Sequence, residues 1–441
     1  MRRRDFLAAL PALATLPVPP ELPRPSRYRV GLIGCGWYGK NDLFRLTQVA
    51  DVEVVGLCDV DQRMLADTAA RLPAYLPGAG PRLYADYRHL LRREKPDLVL
   101  IATPDHWHAL PAVAALKAGA HVYLQKPTAR DVRESEAILD AARRHKRVVQ
   151  VAFQRRSTPH LVAAKRRFVD SGRLGAVHQA RLCCYYHMRD AAVREAQPVP
   201  GHFDYDAWTG PAPLLPFKGL PHRRWRAFRA YGNGIVGDMA THMLDTVRWL
   251  LDLGMPEAIS SAGGIYAQTD ADATITDTQT ATFHFPKLEA VWQHRTYGPP
   301  ADPDYPWGFA LYGSKGTLKG SVHRAEFLPL NGEIERLEAV YERESYPLDL
   351  VEPDIELHAA PATRAHLRDW LAAIDEGRPP VADIETGHLS SIACLLANIA
   401  RDHGRTLRYD SNERTFRQHT DLNAALRRPY RAAYRHPGKR G

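Results

Sequence analysis

A carboxylate, an imidazole and a second carboxylate recur at helical spacing in NGIVGDMATHMLDTVRWLL, residues 233–251. A helix would place Asp238, His242 and Asp245 on one face, with Trp249 one turn further along. The opposite face is apolar and contains Met239, Met243, Val247, Leu250 and Leu251. An imidazole titrates near neutral pH, so this stripe could transfer protons in an active site. A polar face toward solvent is the ordinary arrangement of a surface helix, and spacing alone favours that second interpretation.

A glycine-rich loop near the N-terminus could hold a dinucleotide. Gly34, Gly36 and Gly39 form a G-x-G-x-x-G motif that follows an apolar strand and opens a helix, which is the context the motif requires. The glycines allow a tight turn and let a pyrophosphate approach the helix N-terminus. Asp59 ends the next strand and could bind the adenosine ribose diol while repelling a 2′-phosphate. This favours NAD over NADP, although Arg63 nearby weakens the preference.

The elements that must position these residues fall into two groups. Apolar strands alternate with helical segments from Tyr28 to Phe153, and this alternation predicts a doubly wound parallel sheet. The strands are RYRVGLIG, DVEVVGLCD, DLVLIAT, AHVYLQ and RVVQVAF. In the second half, ATITDTQTATFHF, LEAVWQHRTY and WGFALYGSKGTLKGSV follow one another, which indicates an antiparallel sheet. Two late helices close this part. The expected domains are 27–153 and 154–441, preceded by a signal and linker at 1–26.

Composition and charge exclude several classes of protein. The 441 residues are 45% hydrophobic and 25% charged, which is globular rather than disordered. The net charge of +9 is spread widely and accompanies no recognised nucleic-acid module. The five cysteines form no CxxC pair, so neither a disulfide framework nor a zinc ribbon is indicated. No segment is apolar and long enough to span a membrane.

The first 26 residues have the features of an export signal. Arg3 and Arg4 precede Asp5-Phe6-Leu7 and a short apolar run that prolines interrupt. This order resembles a twin-arginine signal, which predicts a periplasmic or secreted protein. The alternative is a basic arm with a proline linker, in which case the protein stays in the cytoplasm.

Several motifs together resemble one family of oxidoreductases. GLIGCGWYG, ATPDHWHA, HVYLQKPTA, QVAFQRR and GDMATHMLD, with ISSAGGIYA, GTLKGS and RPYRAAY further on, resemble the glucose–fructose oxidoreductase/inositol dehydrogenase (Gfo/Idh/MocA) family. The resemblance implies an α/β fold with an N-terminal Rossmann domain and a C-terminal α+β domain with a large, mostly antiparallel sheet. It also implies catalytic roles for Lys126, Asp238 and His242.

The resemblance assigns a role to each catalytic residue. His242 takes the proton of a sugar hydroxyl as hydride leaves, Lys126 stabilises charge on the same oxygen, and Asp238 orients or polarises both. One departure from the family pattern stands at Gln125, where the family has Glu. A neutral amide there gives Lys126 less anionic support. We interpret the variant as a mark of an exported subgroup.

The predicted binding residues lie where strands end. The expected cofactor ligands are Gly34, Gly36, Trp37, Tyr38, Gly39, Asp59, Thr103, Pro104, His106, His108, Gln125 and Lys126. The expected substrate ligands are Arg155, Arg156, Trp225, Tyr231 and Asp245; Asp245 is alternatively structural. The aromatic loop 188–232 suits a small polyhydroxy ligand, but core packing or a subunit contact explains it equally well. No metal is expected, because the spacing of His106, His108, Asp238 and His242 matches no standard zinc signature.

These observations favour an exported, NAD-dependent sugar oxidoreductase that keeps its cofactor tightly bound. One alternative is a redox-neutral glycosidase, lyase or epimerase that regenerates bound NAD within each turnover. A second alternative, suggested by Gln125, is a non-catalytic nucleotide or sugar sensor. The expected partner is a small carbohydrate, with no nucleic acid and no stable membrane insertion. We also expect a homodimer or homotetramer formed through the C-terminal sheet.

Overall fold

The computed structural model describes residues 27–185, 192–219, 224–353 and 355–438. The predicted export signal at 1–26 lies outside the described residues. The first domain contains a six-stranded parallel sheet with the strand order β3-β2-β1-β4-β5-β6. Its strands are β1 (Tyr28–Ile33), β2 (Val52–Cys58), β3 (Arg82–Tyr84), β4 (Leu98–Ile101), β5 (His121–Leu124) and β6 (Val149–Val151). Its helices are α1 (Trp37–Val49), α2 (Gln62–Tyr75), α3 (Tyr87–Glu94), α4 (Ala109–Lys117) and α5 (Val132–His145). This confirms the predicted doubly wound sheet.

Local chemistry fixes where the helices of this domain begin. Asp61 caps α2 by accepting hydrogen bonds from two backbone N–H groups of its first turn. Asp131 and Glu134 form a reciprocal capping box at the start of α5. Helix α1 begins at Gly36 without any side-chain cap. No side chain at the N-cap therefore blocks the approach of an anion to the first turn of α1.

The second domain contains an eight-stranded sheet with the order β14-β13-β12-β11-β7-β10-β9-β8. Its strands are β7 (Val177–Cys184), β8 (Ala258–Gly264), β9 (Thr278–Phe285), β10 (Leu288–Arg295), β11 (Trp307–Gly313), β12 (Gly316–Gly320), β13 (Arg324–Pro329) and β14 (Glu335–Glu338). The β7–β10 pair is parallel and the other pairs are antiparallel, as expected of a mostly antiparallel sheet. The sequence pattern does not predict β8, β13 or β14, because these strands are short or polar.

The helices of the second half join the two sheets. They are α6 (Pro159–Ala164), α7 (Tyr205–Thr209), α8 (Thr241–Leu250), α9 (Ala360–Glu376) and α10 (Ile384–His403), and β15 (Tyr409–Asp410) pairs with β16 (Thr415–Phe416). Leu367 and Trp370 of α9 are fully buried in the core beneath α1. Ala382 and Ile384 belong to the core between the first sheet and α4–α5. The segment 154–441 is therefore not packed as a separate body, because α9 completes the first domain.

None of the helices in the described part of the chain is long and apolar enough to cross a membrane.

Candidate active site

A cavity of about 1060 Å³ opens at the carboxyl ends of the first sheet's strands. The loops after β1, β2, β4 and β5 form one wall, and residues of the second half form the other. This is the position where open α/β sheets bind their ligands. The predicted site residues that line the cavity are Gly34, Gly36, Trp37, Tyr38, Asp59, Thr103, Pro104, His108, Gln125, Lys126, Trp225, Asp238 and His242.

The glycine loop has the geometry that a bound pyrophosphate requires. Gly34 has a φ of +95°, and a Cβ there would lie 2.7 Å from the Ala102 backbone. A Cβ on Gly39 would overlap the Gly34 carbonyl oxygen, so Gly39 lies behind the cavity and permits close packing of α1. Gly36 faces open space, and a Cβ added there would meet no atom within 4 Å. The loop therefore leaves room for phosphates directly at the N-terminus of α1.

The far end of the cavity is rich in carboxylates. Asp59 accepts hydrogen bonds from the backbone N–H of Cys35 at 2.7 Å and of Asp61 at 2.9 Å. Desolvation raises the pKa of Asp59 to about 6, with the backbone donors opposing the shift. Asp61 and Asp86 line the same end, together with Arg88, which pairs with Asp86 at 2.9 Å; Arg63 does not line it. A 2′-phosphate would meet the negative charge of Asp59 and Asp61, so these two carboxylates favour a free ribose diol over a phosphorylated one.

The other end holds a lysine, a carboxylate and an arginine in direct contact. Lys126 Nζ bonds to the Asp238 carboxylate and to the Asp238 backbone oxygen, the latter at 3.0 Å. Arg226 Nε lies 3.2 Å from the second carboxylate oxygen, and its guanidinium stacks 4.3 Å from the Trp225 ring. Burial alone would raise the pKa of Asp238, but the two cations outweigh it and hold the pKa below its usual value.

His242 reaches this end from the next helical turn. Its ring meets Phe153 and Trp307 edge-on, at 6.0 and 5.7 Å between centroids. Its Nδ1 has no hydrogen-bond partner among the described residues. Burial and then the charges of Lys126 and Arg155 lower its pKa well below the usual value, so the imidazole is neutral. A neutral imidazole that lines a cavity can accept a hydrogen bond from a ligand hydroxyl through a ring nitrogen that faces the cavity.

The helix that carries these residues is not a surface helix. Residues Val236–Ala240 form a π-helical turn that leads directly into α8. Asp238 and His242 are buried against the cavity, while Met239 and Met243 are buried in the core. Neither face therefore lies on the outer surface of the protein, and π-helical turns of this kind are frequent at functional sites. The interpretation of the stripe as a solvent-facing surface is wrong.

Gln125 has a structural explanation. Its Nε2 donates a 2.7 Å hydrogen bond to the buried Asp42 carboxylate, and burial raises the pKa of Asp42 to about 7. A glutamate at position 125 would place two carboxylates against each other away from water. Lys126 obtains its anionic partner from Asp238 instead. The expectation that Gln125 leaves Lys126 poorly supported is therefore corrected.

Two predicted substrate ligands lie away from the cavity. Asp245 is fully buried, and both its oxygens bond to the Arg156 guanidinium, at 2.8 and 2.9 Å. Ser390 Oγ donates a third hydrogen bond to Asp245 at 2.7 Å. This network joins the loop after β6 to α8 and α10. The structure corrects the expectation for both residues and favours the structural alternative for Asp245.

Three further predicted ligands lie directly behind the cavity lining. The ring nitrogens of His106 face the carbonyl oxygens of Trp208 and Tyr231, at 2.9 and 3.3 Å. Tyr231 pairs with the Tyr205 hydroxyl at 2.9 Å. The Arg155 guanidinium lies 4.6 Å from the Trp307 ring, which itself lines the cavity. These side chains support the wall and do not form its surface, so direct contact with a ligand is not what the structure shows for them.

Aromatic side chains from the loop 188–232 cover the cavity. The buried members of this cluster are Phe203, Tyr205, Trp208, Phe217, Trp225, Phe228 and Tyr231. We call residues 200–211 the cover segment. It is hydrogen-bonded to the β2–α2 loop, where the N–H of Asp204 donates to Val60 and that of Gln62 to His202, at 3.1 and 2.9 Å. At its other end, Trp107 Nε1 donates to the Trp208 carbonyl at 2.8 Å.

The C-terminal tail fastens the cover segment. Arg431 bonds to the Gly210 carbonyl and to the Asp206 carboxylate, both at 2.7 Å. Arg428 bonds to the His106 carbonyl at 2.8 Å and pairs with the buried Glu134. Tyr434 lines the cavity beside Trp107. The sequence does not predict this role for the cover segment and tail, because their partners are distant in the chain.

We call the end of the cavity that contains Lys126, Asp238 and His242 the reactive end. Two further residues that line it are not among the predicted site residues. Asp105 and Arg226 both face the cavity. Asp105 stands inside the ATPDHWHA motif, and Arg226 follows Trp225, so each is adjacent to a predicted site residue. The signal that could have found them is a charged side chain next to a residue already expected to bind the cofactor or the substrate.

Comparisons with known proteins agree with this architecture. Residues 28–153 match the family model "Oxidoreductase family, NAD-binding Rossmann fold", and residues 162–319 match the "GFO/IDH/MocA C-terminal domain". The levoglucosan dehydrogenase of Pseudarthrobacter phenanthrenivorans is 32% identical over 38% of this chain and 36% of its own length. A glycosyl hydrolase family 109 protein of Stenotrophomonas maltophilia is 37% identical over 28% of this chain and 29% of its own.

Structural similarity extends further than sequence similarity. An oxidoreductase from Agrobacterium radiobacter, solved with NAD+, L-tartaric acid and magnesium, superposes with a TM-score of 0.66 at 18% identity. The match covers 87% of this chain and 98% of that one. The chain aligns with only about a third of the length of the two sequence relatives above. The two family models nevertheless cover most of both domains, and the chain belongs to the Gfo/Idh/MocA oxidoreductase family.

Proposed function

We propose that this protein is an NAD-dependent oxidoreductase that transfers hydride between a hydroxyl-bearing carbon of a sugar and the nicotinamide ring. One observation carries the proposal: the glycine loop and the Lys126–Asp238–His242 group line the same cavity. The end with the glycine loop suits a dinucleotide pyrophosphate. The other end presents the Lys126 cation and the neutral His242 imidazole to a bound substrate.

NAD supplies a hydride acceptor when bound. Gly34, Gly36 and the N-terminus of α1 would hold its pyrophosphate, and Asp59 would hold the adenosine ribose. On the substrate side, Lys126 donates a hydrogen bond to the hydroxyl oxygen and stabilises the negative charge that develops there. His242 accepts the hydroxyl proton in its neutral form. Asp238, held between Lys126 and Arg226, fixes the lysine in position.

The test is single-turnover reduction of bound NAD, followed by the absorbance of the reduced cofactor. The panel consists of hexoses, uronic acids and glycosides, with a simple alcohol as the negative control. A matched pair of variants, His242→Asn and the exposed His403→Asn, separates loss of the site from loss of an imidazole in general. Failure of every sugar to reduce the cofactor, in protein shown to contain NAD, would contradict the proposal.

We further propose that the protein retains its NAD tightly. The cover segment bridges the β2–α2 loop and the loop after β4, and the tail binds the cover segment through Arg431. Dissociation of a dinucleotide then requires several hydrogen bonds to open together. Mass spectrometry of ligand released from denatured, extensively dialysed protein tests this, and protein that loses its NAD during dialysis would rule it out.

A second candidate function is a redox-neutral reaction in which bound NAD is reduced and reoxidised within one turnover. The cover segment over the cavity favours it, and so does the relative described as a glycosyl hydrolase. A glycoside that is cleaved without net cofactor reduction, while the reduced cofactor appears only transiently, would select this candidate. The sensor alternative loses its motivation, because Gln125 is bound to Asp42 and the Lys126–Asp238 pair is intact.

The N-terminal segment supports a proposal about export. We propose that residues 1–26 direct twin-arginine export, and replacement of Arg3 and Arg4 by lysine tests this. Retention of that variant in the cytoplasm is the expected result.

We also propose assembly through the second sheet. Tyr312 of β11 is 40% exposed, and Tyr266, just after β8, is 64% exposed. Light scattering of the protein in solution measures the assembly directly.

A further inference from the structure

Two carboxyl groups at the reactive end of the cavity have opposite surroundings. Asp238 contacts Lys126 and Arg226 directly, so its charge is neutralised by two cations. Asp105 also lines the cavity and is 3% exposed, but its Oδ2 accepts a hydrogen bond from the Asn233 amide at 3.1 Å. An amide donor stabilises a carboxylate less than a cation in contact with it does. The carboxyl group of Asp105 therefore binds a proton more readily than that of Asp238 does.

The charges that face Asp105 come from several elements. Burial raises its pKa most, and the nearby Asp238 carboxylate raises it further. Arg226 on the 3₁₀ turn, Lys126 after β5 and Arg130 before α5 lower it again, and the pKa settles at about 7. Arg130 is itself fixed by hydrogen bonds to Asn233 and to the Arg229 carbonyl. A pair of acids whose environments separate their pKa values in this way is typical of proton-transfer sites.

The imidazole assigned to proton transfer cannot keep a proton in this cavity. His242 is buried, and the charges of Lys126 and Arg155 oppose its protonation. It can receive a proton from a hydroxyl during the reaction, but an imidazolium at this position would face two cations. Oxidation of a hydroxyl releases a proton, so the site requires another group on which that proton can rest.

We propose that Asp105 is this group: its carboxylate receives the proton released from the substrate hydroxyl and returns it when the reaction runs in reverse. This rests on the proposed oxidoreductase function. In the forward step the C–H electron pair leaves as hydride to NAD+, the O–H bond breaks, and the carbonyl C=O forms. The proton passes first to the neutral His242 imidazole, which cannot keep it, and from there it forms a new O–H bond on the Asp105 carboxylate. Asp238 stays ionised throughout, as the partner of Lys126.

The first measurement is the pH dependence of single-turnover sugar oxidation. Because the ionised form of Asp105 accepts the proton, the rate rises with pH through about 7 and is level above it. Asp105→Asn removes this limb and lowers the rate by roughly two to four powers of ten, the range for loss of an acid–base group. Asp105→Glu keeps a carboxyl and restores a pH limb, with a shifted midpoint.

Asp42→Asn is the matched control. Burial also raises the pKa of Asp42 to about 7, but this residue is bonded to Gln125 and does not line the cavity. The control variant therefore keeps the pH limb. Retained NAD and an unchanged thermal melt establish that each variant is folded. An unchanged limb in Asp105→Asn, or a limb that disappears equally in Asp42→Asn, overturns the proposal.

The second measurement needs no substrate. Infrared titration of the purified protein across neutral pH detects carboxylic-acid groups directly. Wild type shows an acid band that fades through about pH 7, and Asp105→Asn lacks that component while Asp42→Asn lacks a different one. Absence of any Asp105 component overturns the proposal whatever the sugar panel shows. A panel in which no sugar reduces the cofactor contradicts the oxidoreductase function instead, and the infrared result then decides the assignment of Asp105 alone.

Discussion

Residues that form the surface of the cavity differ from those one layer behind it, although the sequence presents them in the same pattern. His242 and Asp245 are neighbours on one face of α8, and both are buried. His242 faces the cavity and its Nδ1 has no partner among the described residues. Asp245 bonds to Arg156 and Ser390 and contacts no cavity space. Access to the cavity, and not polarity or burial, separates these two residues.

This comparison shows what spacing can and cannot predict. A polar stripe on a helix indicates that polar groups share a face, but the partner of each group depends on other elements. Asp245 meets its partner because the loop after β6 and α10 pack on that side. His242, by contrast, lines the cavity. We call the residues that form the cavity surface the cavity layer, and those that pack directly behind them the layer behind. We expect substitutions in the cavity layer to affect chemistry, and substitutions in the layer behind to affect stability or cofactor retention.

The largest effect is expected from the cavity layer. His242→Asn removes the proton acceptor and Lys126→Met removes the charge beside the reacting oxygen, so each variant lowers single-turnover reduction by roughly two to four powers of ten. The double variant is scarcely slower than either single one, because groups that act as a unit are not additive. Bound NAD and the thermal melt report folding. Full activity in His242→Asn would show that His242 belongs to the layer behind the cavity.

The next largest effect is expected from the layer behind, and in a different quantity. Asp245→Asn leaves the buried Arg156 guanidinium without its anionic partner, and breaking a buried pair lowers the free energy of unfolding by about 3–5 kcal/mol. Denaturant unfolding measures this. The turnover of the molecules that remain folded stays near the wild-type value. A large loss of turnover with unchanged stability would show that Asp245 belongs to the cavity layer after all.

The cavity layer could be predicted in large part because its residues stand in local motifs. Gly34, Gly36 and Asp59 follow from a strand–loop–helix pattern that encodes its own geometry. Lys126, Asp238 and His242 follow from the family resemblance, and the structure brings all three to one cavity. Their catalytic roles remain predictions that the experiments above test.

The layer behind could not be predicted, because its contacts join distant parts of the chain. Arg431 reaches Asp206 across more than two hundred residues, and Trp370 completes the core of a domain that begins at Tyr28. Spacing within one segment contains no information on such partners. Asp105 was missed for another reason. Its importance depends on its having an amide rather than a cation as its hydrogen-bond donor, which becomes visible only when Lys126 and Arg226 are seen to bind Asp238.

A smaller effect is expected at the carboxylate-rich end of the cavity, where binding and chemistry separate. Asp59→Ser removes a charged acceptor for the ribose diol and weakens NAD binding by about 1.5–3 kcal/mol, the usual contribution of a hydrogen bond to a charged group. Asp61 and Asp86 remain, so NADP gains only partly. Calorimetric titration of protein freed of cofactor measures both affinities. Wild-type protein that binds NADP more tightly than NAD would show that Asp59 does not set the preference.

The smallest effect is expected from Arg431, which belongs to the layer behind and lies near the surface. Its side chain is 22% exposed and its partner Asp206 is 69% exposed, so this pair contributes at most about 1 kcal/mol in a solvated setting. Arg431→Ala nevertheless removes hydrogen bonds to the Gly210 and Asp206 carbonyls, which hold the cover segment over the cavity. NAD therefore dissociates several-fold faster, as measured by fluorescence of the released cofactor or by loss during dialysis. The single-turnover rate with NAD still bound is unchanged, because Arg431 does not line the cavity.

The control for this prediction is Arg435, which is also on the tail and is exposed. Its replacement leaves NAD dissociation at the wild-type rate. A slower chemical step with unaltered NAD dissociation in Arg431→Ala would mean that the cover segment shapes the reactive end and does not simply enclose the cofactor.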